Sequence, residues 1–223
     1  MHDLAGSGPA ASGSPSLAEI LAGIEAGRFP PPDGSLTVRP GHGRAAVLAF
    51  TAHNLVVADA DPDWIRGQLP AGDLSAPLNP PFLSALAARL GRRVNNIDLV
   101  ATAPRLTGPP PLPLTEVTAA DHPRVRRALR YRDQVRVWAT EGGLVILGRG
   151  LGGRWELAVE VEPTHRGRGL GRALSTAARH LVPGPVLWAQ VAPGNAASVR
   201  SLLAAGFTPI GAEVLIRPDR RAA

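Results

Sequence analysis

Residues 155–174, "WELAVEVEPTHRGRGLGRAL", constrain the fold of this chain more than any other stretch. Trp155, Leu157, Val159 and Val161 alternate with smaller or acidic residues, the pattern of a strand. After the turn, "RALSTAARHLV" spaces its apolar residues for a helix. A strand passing through a tight turn into a helix is the building unit of α/β proteins. Between them lies "HRGRGLGRAL" (165–174), where arginines and glycines alternate. Three readings are open for it: a basic patch for nucleic acid, a glycine turn with solvated arginines, or a loop for phosphate. The local physics favours the last as much as the second. A helix start leaves about four backbone N–H groups unpaired and carries roughly half a positive charge. Glycines at 167, 169 and 171 allow the backbone to approach an anion without Cβ clashes, and Arg166, Arg168 and Arg172 surround it with positive charge. A Walker loop is excluded, because no G-K-[ST] ending follows.

A second glycine run, Gly148 to Gly153, satisfies G-x-G-x-x-G. That dinucleotide pattern needs a helix after it, since the helix N-terminus holds the pyrophosphate. Here the alternating segment 155–161 follows instead. The run is therefore predicted to join two strands, its glycines serving turn geometry.

Downstream of the first loop come a strand, "PVLWAQVAP", and then "NAASVRSLLAAGF". The pair R-x-x-G-x-G (166–171) and N-x-x-S-x-x-x-L-x-x-x-G-F (195–207), in that order with a strand between, resembles the GNAT superfamily of acyl-CoA-dependent N-acyltransferases. The resemblance covers about residues 114–217, including a V-x-P lead-in at Val161 and Pro163; the N-terminal half shows none. It implies an α/β fold with a mixed central sheet and helices on both faces, whose two central parallel strands splay around the pantetheine arm. Those strands would be 157–161 and 186–191. It implies that Val159 and Val161 pair with pantetheine through their backbones. The amides of Gly167, Arg168, Gly169, Leu170, Gly171 and Arg172, with Arg166, would take the pyrophosphate. Asn195 and Ser198 would face the cofactor, and Asn195 would also cap its helix. Many relatives carry a tyrosine at the position of Leu202, where it protonates the departing thiolate. Leucine cannot, so the donor would be another group or solvent, or the protein is not a transferase.

Amine acylation also needs a base, because an amine of pKa near ~10 is mostly protonated at neutral pH. Glu156, Glu160 and Glu162 alternate on the long strand and are expected on one face. They form a solvated acidic stripe or supply that base; Glu160 is the first candidate and Glu156 the second.

Composition sets the remaining bounds. All 24 basic residues are arginine, giving a formal charge of +6. Such a bias accompanies a GC-rich genome and is discounted as a nucleic-acid signal. The Arg124–Arg132 run is expected to be a solvated helix face. There is no cysteine, which excludes disulfides, thiolate metal sites and a cysteine-linked acyl intermediate. The histidines show no metal spacing. No apolar run approaches the ~18 residues of a membrane span, and no basic-then-apolar leader is present, so a cytoplasmic location is expected. His53-Asn54 and Asn95-Asn96 are candidates for contact with the acceptor or for loop duty. Trp138, Trp155 and Trp188 are expected in the core.

The organisation expected is a tail (1–15), a helix and smaller α+β module (16–105), a proline-rich linker (106–113) and the acyl-CoA-binding domain (114–217). Asp61, Asn79, Asp121 and Asn195 are expected helix caps. The function expected is an N-acyltransferase using acetyl-CoA as co-substrate without metal, acting on an amine of unspecified class by direct attack, as a monomer or homodimer. The alternative is a non-catalytic acyl-CoA-binding or scaffold protein of the same fold.

Overall fold

The computed structural model describes residues 14–218; most of the expected N-terminal tail lies outside them. Helix α1 (Leu17–Glu25) begins with a capping box: Ser16 Oγ accepts from the Glu19 amide, and the Glu19 carboxylate accepts from the Ser16 amide at 2.7 Å. Strands β1 (Leu36–Arg39), β2 (Ala46–Phe50) and β3 (His53–Val57) follow, then the short helix α2 (Pro62–Gly67), capped by Asp61, and α3 (Pro80–Arg89). Asn79 precedes α3 but makes no side-chain cap. The first two helical residues are Pro80 and Pro81, which have no N–H to offer it. Strand β4 (Arg92–Pro104) closes the N-terminal half.

The C-terminal half comprises β5 (Thr115–Glu116), α4 (Pro123–Tyr131), β6 (Asp133–Thr140), β7 (Gly143–Arg149), β8 (Trp155–Val161), α5 (Leu170–Leu181), β9 (Val186–Val191), α6 (Ala196–Ala204) and β10 (Thr208–Pro218). The cap of α4 is His122, whose Nδ1 accepts from the Arg124 amide at 3.2 Å; Asp121 sits one residue too early. The glycine run 148–153 does join two strands, β7 and β8, through a tight turn with Gly152 and Gly153 at positive φ.

All ten strands form one mixed sheet in the order β1-β3-β2-β10-β4-β9-β8-β7-β6-β5. β4 lies between β9 and β10, pairing Leu99 with Val191 on one edge and Asp98 with Glu213 on the other. β10 in turn pairs with β2. The N-terminal strands are thus continuous with the C-terminal sheet.

Both faces are covered, which is why the central strands read as unbroken apolar runs. On one side, Leu21 and Ile24 of α1 pack on Leu48, Leu55, Val57, Val100 and Trp188. On the other, Phe82, Leu83 and Leu86 of α3 cover Val47, Val56, Val214 and Ile216. In the C-terminal half, α5 and α6 cover Leu157, Leu187, Ala189 and Val191, while α4 covers Val137 and Ile146 from the opposite face. Trp138, Trp155 and Trp188 are all buried. The Trp188 indole donates to Glu25 Oε1 at 2.8 Å, which ties α1 to the sheet.

Candidate active site

The parallel neighbours β8 and β9 pair at a single position, Glu156 with Trp188. Beyond it the strands diverge, and a cleft of about 1370 Å³ opens through the sheet. The alternation of β8 divides the cleft into two sides. Val159 and Val161 face α5, whereas Ala158 faces α4. Glu156 and Glu160 share that second face, bonded to Arg132 and Arg124 of the α4 segment. Glu162 has left the strand and leads a short turn instead.

On the α5 side, the chain enters the helix through Gly169, which is left-handed at φ 84° and makes no side-chain cap. The first amide of this turn to find a backbone acceptor is Ala173, bonded to the Gly169 carbonyl at 3.1 Å. The amides of Gly167 to Arg172 have no protein acceptor among the described residues. A run of unpaired N–H groups at a helix start is the arrangement that binds a phosphate. A Cβ built on Gly167 or Gly169 would meet no atom within 4 Å. These two glycines are therefore required by positive φ, 75° and 84°, and not by crowding.

The cleft is lined by Val159, Val161, Arg166, Gly167, Gly169, Leu170, Gly171, Arg172, Asn195 and Ser198, together with Glu156 and Glu160. Arg168 is exposed and is not part of the lining. Asn195 Oδ1 accepts from the Ser198 amide at 3.2 Å, so its carbonyl is engaged in capping α6 and its amide nitrogen is the part left to offer. Leu202 lines the cleft but is 8% exposed, within the core beneath α5. His165 also lines the cleft, near the Glu141 and Glu162 carboxylates. Asn95 and Asn96 reach it as well. His53 and Asn54 do not: they are buried, bonded to Asp33, Ser35, Thr37 and the Leu74 carbonyl.

The two glutamates of β8 have different surroundings. Glu156 is buried, accepting from Arg132 Nε and Arg154 Nε, each at 2.9 Å, and from the Leu151 amide at 3.3 Å. Burial alone would raise its pKa, but the two guanidiniums outweigh that and hold it down at about 2. It is accordingly a poor proton acceptor near neutrality. Glu160 is one-third exposed in its side chain and bonded only to Arg124. Arg154 continues the buried chain to Glu213, donating to both carboxylate oxygens at 2.7 and 2.8 Å, and its guanidinium lies 4.8 Å from the Trp188 ring. Glu213 is raised, because burial and the neighbouring Glu156 and Asp98 charges prevail over the one guanidinium it shares.

Several cleft residues escaped sequence reasoning. Helix α4 keeps its arginines exposed, as expected, and Arg124, Arg127, Arg130 and Tyr131 also line the cleft, together with Asp98 and Arg217. The sole tyrosine carries the Arg217 guanidinium 4.0 Å from its ring centre. The signal lay in long-range strand pairing, which brings residue 217 beside residue 93. Among the described residues no group of His, Asp or Glu is placed to hold a metal, and no helix is long and apolar enough to cross a membrane.

The site is thus a mixed sheet split between two parallel strands beside a glycine-led helix. Residues 130–207 match the family model described as "Acetyltransferase (GNAT) family". The matched stretch runs from the end of α4 to the residue before β10, about a third of the chain. Among solved structures, the chain is similar to a GCN5-related N-acetyltransferase from Kribbella flavida, at 18% identity and a TM-score of 0.40, over 64% of this chain and 66% of that one. It is also similar to an acetyltransferase of the GNAT family from Colwellia psychrerythraea (12% identity, TM-score 0.38, 60% of each chain). A third likeness is a GNAT protein from Sphaerobacter thermophilus (18% identity, TM-score 0.38, 67% of this chain and 57% of that one). The chain thus spans less than two thirds of the length of each. A search of curated proteins returned no match.

Proposed function

We propose that this protein is an acyl-CoA-dependent N-acyltransferase, acting in the cytoplasm with acetyl-CoA as donor and a small amine as acceptor. The observation that carries the reading is the run of unpaired amides from Gly167 to Arg172 at the mouth of the β8/β9 split. Those amides, with Arg166 and Arg172, would hold the pyrophosphate. The diverging edge of β8, from Leu157 to Val161, would take the pantetheine arm as an added strand, and Asn195 and Ser198 would face it.

Acyl-CoA supplies an activated thioester carbonyl. On this chain, the α4 side of the split receives the amine, so donor and acceptor meet through the sheet. Glu160 takes the proton that the amine nitrogen sheds as it bonds to the carbonyl carbon, with Arg124 fixing the carboxylate. Backbone N–H groups of β8 beyond Glu156 steady the negative charge developing on the carbonyl oxygen. The C–S bond breaks, and the thiolate takes a proton from solvent, since Leu202 has none to give. Glu156 is the structural member of the glutamate pair. Its two arginines hold the closed end of the split.

One observation favours a second reading. With an apolar, core-packed Leu202 where many relatives place an acid, the protein would bind acyl-CoA without turnover. Thiol release from acetyl-CoA across an amine panel separates the two. Amine-dependent release supports the transferase; CoA binding with no release on any amine supports the binding protein.

A further inference from the structure

The α4 side of the cleft holds an excess of positive charge with no internal partner. Arg93 on β4 and Arg217 on β10 are register partners in an antiparallel pair, where like charges repel. Arg127 projects from α4 into the same region and has its pKa lowered, first by burial and then by Arg217, with Arg124 and Arg93 adding to the effect. Among the described residues none of Arg93, Arg127 and Arg217 forms an ion pair, although seven other carboxylate–arginine contacts exist. Three guanidinium nitrogens, Arg93 Nε, Arg217 Nε and Arg217 Nη1, are buried with no hydrogen-bond acceptor. Buried donors left unpaired cost about 1–3 kcal/mol each, and native structures tolerate few of them. The one acid nearby, Asp98, does not close the account. It lies within electrostatic reach of Arg217 and Arg127 but makes no ion pair, and burial raises its pKa against their pull.

We infer that the α4 side of the cleft is a receptor for an oxyanion on the acceptor, a carboxylate or a phosphate. Arg127 and Arg217 bind it, and Arg93 sits behind Arg217. The identity of the acceptor as an amine rests on the acyltransferase reading; the anion site does not. A planar guanidinium fork matches both oxyanions. The Arg217–Tyr131 stack fixes the fork's plane before anything binds. Asp98 and Glu160, on the same face, leave room for the ammonium end of the molecule. The acceptor class is therefore an amine bearing its own negative charge, not a polycation and not a neutral amine.

The test has a binding arm and a turnover arm. In the first, inorganic phosphate and acetate are each titrated into full-length protein at constant ionic strength, with and without CoA. Saturable binding of at least one is expected. With saturating CoA filling the loop before α5, it should weaken at least tenfold in Arg127→Gln and Arg217→Gln and be largely kept in Arg217→Lys. Binding of neither anion to the CoA-saturated protein, or binding intact in both glutamine variants, overturns the proposal. In the second arm, acetyl-CoA turnover is compared for phosphoethanolamine, β-alanine and their neutral counterparts ethanolamine and β-alaninamide. An advantage of tenfold or more in kcat/KM for one anionic amine, abolished in Arg217→Gln, is expected, and which of the two wins identifies the oxyanion. Equal turnover of neutral and anionic amines overturns the anion site and leaves the transferase standing. Arginine-dependent anion binding without turnover of any amine does the reverse.

Discussion

Glu156 and Glu160 stand on one face of β8, two repeats of the pleat apart, and α4 with its C-cap gives each an arginine. Yet the Glu156 side chain is 5% exposed between two guanidiniums and that of Glu160 is 33% exposed beside one. The same residue type on the same strand is thus divided between holding the split and working in it. Replacing Glu160 with Gln is predicted to lower kcat by about 10²–10⁴-fold, the range for loss of a general base. CoA affinity and the unfolding midpoint should stay as in the wild type. Steady-state thiol release and calorimetric CoA titration check this together; full activity in Glu160→Gln removes it from the base position.

Glu156 should show itself in stability. Its folded-state pKa of about 2 lies below the ordinary 4.5. In that window the folded state binds fewer protons than the unfolded one. The stabilisation is therefore complete above the unfolded value and is lost as pH falls from about 5 towards 2. The raised pKa of Glu213 acts in the opposite sense. Glu156→Gln is predicted to destabilise by about 3–5 kcal/mol at neutral pH, the cost of breaking a buried pair from one side. Urea unfolding at pH 7 and pH 3 should show that difference narrowing at the lower pH. A gap of constant size would mean the carboxylate is not held ionised.

Gly150 offers an independent check on the same carboxylate. A Cβ there would lie 2.1 Å from Glu156 Cδ. Gly150→Ala is predicted to cost about 1–3 kcal/mol by overpacking and to resemble Glu156→Gln in its acid profile, because it displaces the carboxylate from its arginines. A neutral effect on the midpoint would show that Glu156 can be moved freely.

The N-terminal helix is predicted to be part of the fold. Removing the acceptor of the Trp188 indole by Glu25→Ala leaves a buried N–H unpaired, at about 1–3 kcal/mol. Tryptophan fluorescence followed through thermal unfolding should report a lower, still single, transition. Two separate transitions would instead show the halves unfolding independently.

Much of this was legible in local sequence. The strand–glycine–helix order of 155–181 located the loop, and the alternation of 155–161 showed that the Gly148–Gly153 run was a turn between strands. Asp61 and Asn195 were readable as caps, since each precedes a helical pattern by one residue. What escaped was whatever depends on distant pairing. Nothing local says that residues 92–104 lie between the two last strands of the chain, or that this sets Arg217 beside Arg93 and over Tyr131. The arginines of α4 are exposed as expected, but nothing local says that Arg124 reaches Glu160 or that Arg132, just after the helix, reaches Glu156. Nothing local marks Arg154, just after the glycine turn, as the arginine that the fold buries between Glu156 and Glu213.

The central claim is that the amides from Gly167 to Arg172 grip the pyrophosphate of CoA, and Gly169 tests it most directly. At φ 84° this position is strained for any β-branched side chain, whatever space surrounds it. Isothermal titration of CoA into Gly169→Val, alongside a melting curve, is the decisive measurement. Loss of detectable CoA binding with cooperative unfolding preserved is the predicted result. CoA binding at wild-type affinity in that variant would contradict the account.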